Sequence, residues 1–197
     1  MTDSAAGGDG APAPDPGVRL VTGTFEIDDL DAFLGDLDAI AAETGAVVQA
    51  FDAALVVSAT QLREAARLAA RAIARGEAVA RDPGVEILLY AAGRRQIDRA
   101  LELGVSEGER GAAVLVTDFG DVSGVERSAA DLDGAVDAVR SIATDSTEVP
   151  DGENLSTGFD EGRVREFYGV TDRELAATTG DLADVVRERV ALLDVEK

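Results

Sequence analysis

The stretch EILLYAAGRRQIDRALELGV, Glu86 to Val105, decides how the rest of the chain is read. An apolar helical turn runs into Gly93, and Arg94, Arg95 and Gln96 then open a second helix. A helix N-terminus carries about half a positive charge, so a cation in its first turn is disfavoured by roughly 0.3–1 kcal/mol. Two consecutive arginines stand there. Exposed backbone N–H groups with two guanidinium forks beside them form a place for an anion, phosphate above all. Ile97, Ala100 and Leu101 are expected to bury one side of this helix, which stops at Gly104.

Upstream, TQLREAARLAARAIAR repeats the theme. Ser58 and Gln61 form a capping box, and the helix runs to about Arg75 with Gly76 as its stop. Leu62, Ala65, Ala69, Ala72 and Ile73 share one face, and so many alanines imply close packing on a neighbour. Arg63, Arg67, Arg71 and Arg75 recur every four residues, a row that drifts by about 40° per step. Such a row is either a basic ridge that contacts a ligand or a solvated face. Regional charge favours the ridge: residues 61–99 hold eight arginines against five acids, in a chain of net charge −21.

Working outward, Val18 to Ile27 reads as a first strand, followed by a helix that begins at Asp28, Asp29 and Asp31. Leu30, Phe33, Leu34, Leu37 and Ile40 form its apolar stripe, which ends near Gly45. Ala46 to Phe51 is a second strand; Val85, Leu88 and Leu89, with Tyr90 and Ala92, make a short buried helix, and Gly111 to Val116 a further strand. Ala130 to Ile142 is an amphipathic helix with Leu132, Val136 and Val139 inside. Asp145 to Gly158 reads as an exposed acidic loop. Three short helices close the chain: one near Val164 to Tyr168, one opened by Thr171 and Glu174, and one from Asp181 to Leu193 that turns Leu182, Val186, Val190 and Leu193 inward. The expected architecture is α/β (α+β), a single helix-rich domain over 18–197 with a small central β-sheet flanked by helices. Residues 1–17, rich in Gly, Ala, Pro and Asp, are expected to be a disordered tail.

Composition removes several functions. With no cysteine and no histidine, thiolate chemistry, disulfides, the commonest metal ligand and the commonest general base are absent together. The acidic N-terminus has no secretory pattern and no apolar run is long enough for a membrane span, so a cytoplasmic protein is expected. Lys197 is the only lysine among 18 basic residues. An acidic, alanine-rich chain with few aromatics looks like the product of an extreme halophile, a haloarchaeon-like source. There the Debye length is about 3 Å or less, so the acidic coat does not repel RNA at a distance and binding rests on short-range arginine contacts and stacking. Asp118, Phe119 and Gly120 spell a kinase tripeptide, but its lysine and histidine partners are missing. Asn154, Leu155 and Ser156 form a chance sequon. No carboxylate pair stands out, and neither a metal nor a cofactor is expected.

The run from Ser58 to Val105, together with ERVALLDVEK from Glu188, resembles the small subunit of the KEOPS complex, the TPRKB kinase-binding-protein family. The resemblance covers residues 18–197 and is most specific over 58–105 and 171–197. It implies a non-enzymatic adaptor in threonylcarbamoyladenosine modification of tRNA. Such a subunit docks directly on the atypical kinase (an ATPase), reaches other KEOPS subunits indirectly, and holds the 3′ CCA end of tRNA. An unpaired end has bases free to stack and phosphates free to meet arginine. On that basis Arg94, Arg95, Gln96 and Arg99, with Arg63, Arg67, Arg71 and Arg75, are the expected RNA contacts. Leu68 and Tyr90 are offered for kinase docking, with core packing as the alternative. Two rivals remain: a purely protein-binding regulator and a carboxylate-based small-molecule enzyme.

Overall fold

The computed structural model describes residues 15–150, 155 and 158–195. In chain order the elements are β1 (Val18–Ile27), α1 (Leu30–Thr44), β2 (Val47–Asp52), α2 (Ala59–Ala74), α3 (Pro83–Ala91) and α4 (Ile97–Ala100). They continue with β3 (Gly108–Thr117), α5 (Leu132–Ser141), β4 (Asp145–Glu148), α6 (Glu161–Tyr168), α7 (Asp172–Ala177) and α8 (Leu182–Val195). Short 3-10 turns occupy Ala53–Leu55 and Leu101–Leu103. The expected mixed α/β class holds: one sheet, ordered β2-β3-β1-β4, with every pairing antiparallel.

Both faces of that sheet are covered, and the strands alternate between two cores with the period of two that a pleated backbone imposes. Leu20, Phe51, Ala113 and Leu115 point into a core shared with α2, α3, α6 and α8. Val21, Phe25, Ala50, Ala112, Val114 and Val116 point the other way, onto α1 and α5. Phe25 meets Phe33 of α1 edge to face, with ring centroids 5.7 Å apart, an arrangement that adds about 0.5–1.5 kcal/mol to area burial.

Local chemistry sets the ends. Asp29 caps α1 by accepting from the Ala32 N–H at 2.8 Å, and Gly45 ends it at φ 73°. Ser58 caps α2 through the Gln61 N–H. Within α2, Ala59, Ala65, Ala66, Ala69, Ala70 and Ala72 are fully buried. Small side chains on both flanks let the helix lie between the sheet and the pair α3 and α8.

One expectation changes. Asp145–Glu148 is an edge strand on β1, not loop, with Thr22 opposite Thr147. Its polar residues carry no apolar alternation. A close backbone approach makes room for it at Gly23, where a Cβ would lie 2.1 Å from the Asp145 carbonyl oxygen. Of the remaining acidic segment, 151–154 and 156–157 lie outside the described residues. So do residues 1–14 of the expected tail; at its end, the Gly17 carbonyl accepts from the Thr117 hydroxyl at 2.8 Å. No helix among the described residues is long and apolar enough to cross a membrane.

Candidate functional site

The arginine pair after Gly93 sits between helices instead of inside one. Gly93 takes the left-handed conformation (φ 60°) that ends α3, and the Arg94 N–H returns to the Leu89 carbonyl at 3.0 Å. A Cβ at Gly93 would lie 3.3 Å from that of Arg189, so the turn is pressed onto α8. Arg94 donates to the Phe167 carbonyl in the last turn of α6, and its guanidinium lies 5.0 Å from the centre of the Phe167 ring. Arg95 Nη2 donates to the Leu193 carbonyl near the end of α8 at 3.2 Å.

This removes the electrostatic misfit. The two cations lie at the carbonyl ends of other helices, where the macrodipole favours them. Gln96 is the N-cap of α4 and Asp98 fills its first turn. The expectation that the pair opens a helix and forms an anion site at its N-terminus is therefore corrected: α4 has four residues, and Arg94 and Arg95 precede it.

A buried polar hub supports the same region. Gln61 is fully buried; its Oε1 accepts from the Val57 N–H at 3.0 Å, and its Nε2 donates to the Ala91 carbonyl (3.0 Å) and the Tyr168 hydroxyl (2.6 Å). Tyr168 in turn donates to Ala91 at 2.9 Å. Burial pushes the Tyr168 phenol well above its ordinary pKa. In this way α2, α3 and α6 are joined at one point, one residue along from Phe167.

The row on α2 does not form one free ridge. Arg63 donates to the Val149 and Pro150 carbonyls. Arg67 pairs with Glu64, a bond that raises its pKa. Arg71 pairs with Asp194 of α8, and the Tyr90 hydroxyl reaches the same carboxylate at 3.4 Å. Arg75 is the C-cap of α2 and is exposed. Leu68 and Tyr90, expected at a docking surface, are core residues at 2% and 1% exposure. Leu68 lies on a helix buried on two sides, and Tyr90 presents only its hydroxyl to Asp194. Burial raises the Tyr90 pKa and the Asp194 charge adds to it.

What faces solvent is the short segment that follows. Gln96 and Arg99 are exposed, and Ile97 (41%) and Leu101 (54%) are among the exposed large apolar side chains. Ile97 and Leu101 were expected inside with Ala100; Ala100 and Leu103 are the buried pair. The switch from α4 to a 3-10 turn at Leu101 shortens the repeat, which leaves Leu101 outside and turns Leu103 inward. Beside this segment lies an open recess of about 300 Å³ lined by Leu55, Arg94, Arg99, Glu102, Arg163 and Glu166, with Phe167 at its side. Arg94 and Arg99 are thus brought together, and Arg163 joins them from α6. Nothing local in the sequence marks Arg163. Arg63 and Arg67 line a separate recess with Asp15 and Arg19, and Arg95 lines neither.

Pinned helices around a four-stranded antiparallel sheet covered on both faces define a small mixed α/β protein. The chain belongs to the family described as kinase binding protein CGI-121, whose profile matches residues 35–194. A search of curated proteins finds no match.

Proposed function

We propose that the chain is the cytoplasmic, non-catalytic adaptor of the KEOPS tRNA threonylcarbamoyladenosine-modification complex, binding its atypical kinase and recruiting tRNA through the 3′ CCA end. Family membership supports the kinase-binding half. A single observation carries the RNA half: Gln96, Ile97, Arg99 and Leu101 are exposed on one short segment, from the cap of α4 into the 3-10 turn, whose neighbours are otherwise pinned. Apolar surface for stacking beside arginine for phosphate is the combination that an unpaired RNA end requires. Among the arginines of this region, Arg99 takes the leading place because it is exposed and lines the recess, while Arg94 is held by Phe167, and Arg95 and Arg71 serve α8. Arg63, Arg67 and Arg75 act as outer contacts to the body of the tRNA.

The test is co-purification from the native host followed by RNA binding. A small kinase is recovered with the chain, and intact tRNA binds it more tightly than tRNA lacking CCA. Recovery of the kinase with equal binding of the two RNAs would leave a purely protein-binding regulator. Recovery of no kinase would refute the adaptor reading.

A further inference from the structure

We infer that the open edge of the sheet at β4 takes an extended, arginine- or lysine-bearing segment of a partner protein as a further antiparallel strand. Its occupant and its test are independent of RNA. The sheet, ordered β2-β3-β1-β4, has two edges, and they are finished differently. At the β2 end, side chains engage the strand's carbonyls: Arg127 Nη1 donates to Ala46 and Gln49 Nε2 to Ala50, each at 3.1 Å, and α3 packs against the strand. At the β4 end, the Val149 N–H donates to the Leu20 carbonyl at 2.8 Å, and Thr22 lies opposite Thr147. Alternate residues of an antiparallel ladder face the partner strand, so the backbone N–H and C=O groups of Ser146 and Glu148 point away from β1. Among the described residues no side chain takes them up, and no strand lies outside β4. The strand is nevertheless held in place, because Arg63 Nη2 donates to the Val149 and Pro150 carbonyls at 3.1 and 3.2 Å.

Charge selects the occupant. Asp145 is exposed, and Glu148 pairs with Arg19 only at 3.5 Å, with both side chains 41% exposed. Helix α5 packs beside β4, and α1 beside α5. Residues 28–44 hold six acids and no base, and residues 131–141 hold three acids against Arg140 alone. The edge therefore opens beside an acidic layer. A short edge strand with charged side chains normally deters further pairing. Acidic residues deter only an acidic strand, because opposite charges across a strand pair attract and like charges repel. A second copy of this chain, with net charge −21, is opposed by the same residues that admit a basic segment. In strand addition the backbone hydrogen bonds supply the affinity, and alternate side chains supply the choice of partner.

The experiment adds three short synthetic peptides to the full chain at one salt concentration: alternating arginine and valine, the same peptide N-methylated throughout, and alternating glutamate and valine. By fluorescence anisotropy the plain arginine peptide binds at least about tenfold more tightly than its N-methylated form, which has the same charge and no backbone N–H to donate. The glutamate peptide does not bind. In hydrogen exchange followed by NMR, the Ser146 and Glu148 amides exchange quickly in the chain alone and become protected when the arginine peptide is bound. Ser146→Pro removes an outward N–H and leaves the bonds to β1, so affinity falls about tenfold in a chain that melts as the parent does. Should that variant fail to fold, the exchange of the two amides in the parent decides. Equal affinity for the plain and N-methylated peptides, or binding without protection of Ser146 and Glu148, overturns the inference, because charge alone then holds the peptide. Undiminished affinity in a folded Ser146→Pro chain, or binding of none of the three peptides, overturns it as well. A parent that sediments as a dimer with both amides already protected also does so, since a second copy then occupies the edge.

Discussion

Arg94 and Arg95 are separated from Ile97 and Arg99 by a single glutamine, yet the two segments do opposite work. The first is spent on the protein: Arg94 and Arg95 hold the carbonyl ends of α6 and α8 from partners 73 and 98 residues away. The second is left outside, with Arg99 paired only to its neighbour Glu102 and two apolar side chains in solvent. Residue type does not separate the roles, since arginine occurs in both. Burial and hydrogen-bond partners do. If the division is right, damage to the pinned region costs stability, while damage to the exposed segment costs binding alone.

The largest effect is expected at the polar hub. Gln61→Ala leaves the Val57 N–H and the Tyr168 hydroxyl short of partners in a closed interior. Each such group costs about 1–3 kcal/mol. A loss of about 3 kcal/mol, or roughly 6–12 °C in melting temperature, is expected in a calorimetric scan; a loss below about 1 kcal/mol would show that the hub is dispensable.

Alkali probes the same interior. Tyr90 and Tyr168 are the only tyrosines, and burial raises both phenols above their ordinary value. Below the unfolded pKa, near 10, both states keep their phenolic protons and stability is unaffected. Above it the unfolded chain loses protons that the folded chain retains, so each tyrosine withdraws about 1.4 kcal/mol of stability per pH unit until the folded pKa is passed. Tyrosinate absorbance is therefore expected to rise together with unfolding, measured by circular dichroism on the same samples. Ionisation of both phenols near pH 10 in a folded chain would contradict their burial.

Asp194→Ala comes next. It leaves the Arg71 guanidinium and the Tyr90 hydroxyl without the carboxylate they share. About 2 kcal/mol is expected from a half-buried pair broken on one side, read as a shift of the urea midpoint. With the protein still folded, tRNA affinity is unchanged; a parallel loss of tRNA binding would erase the distinction between the two regions.

Much of the fold was legible because its signals are local. Val18–Ile27 was bounded correctly by its β-rich composition, α1 by Asp29 and Gly45, and α2 by Ser58 and Gly76. The strand β4 was not legible: DSTE is short and polar, and only its pairing with β1 makes it a strand. The candidate site was visible as a concentration of arginine, but its division into pins and contacts was not. That division depends on α6 and α8, distant in sequence, and on a 3-10 turn that exposes Leu101 and buries Leu103. For Leu68 and Tyr90 the core-packing alternative holds, because α2 and α3 are buried on their apolar flanks and leave neither residue for a docking surface.

The smallest effect on stability and the largest on function are expected from one double variant, Ile97→Asp with Arg99→Glu. Both side chains are exposed, so the melting temperature corresponds to a change within about 0.5 kcal/mol. Affinity for intact tRNA is expected to fall at least tenfold, about 1.4 kcal/mol, to the level of tRNA without CCA. An unchanged affinity for intact tRNA in a folded variant would contradict the assignment of residues 96–101 as the RNA-contacting segment.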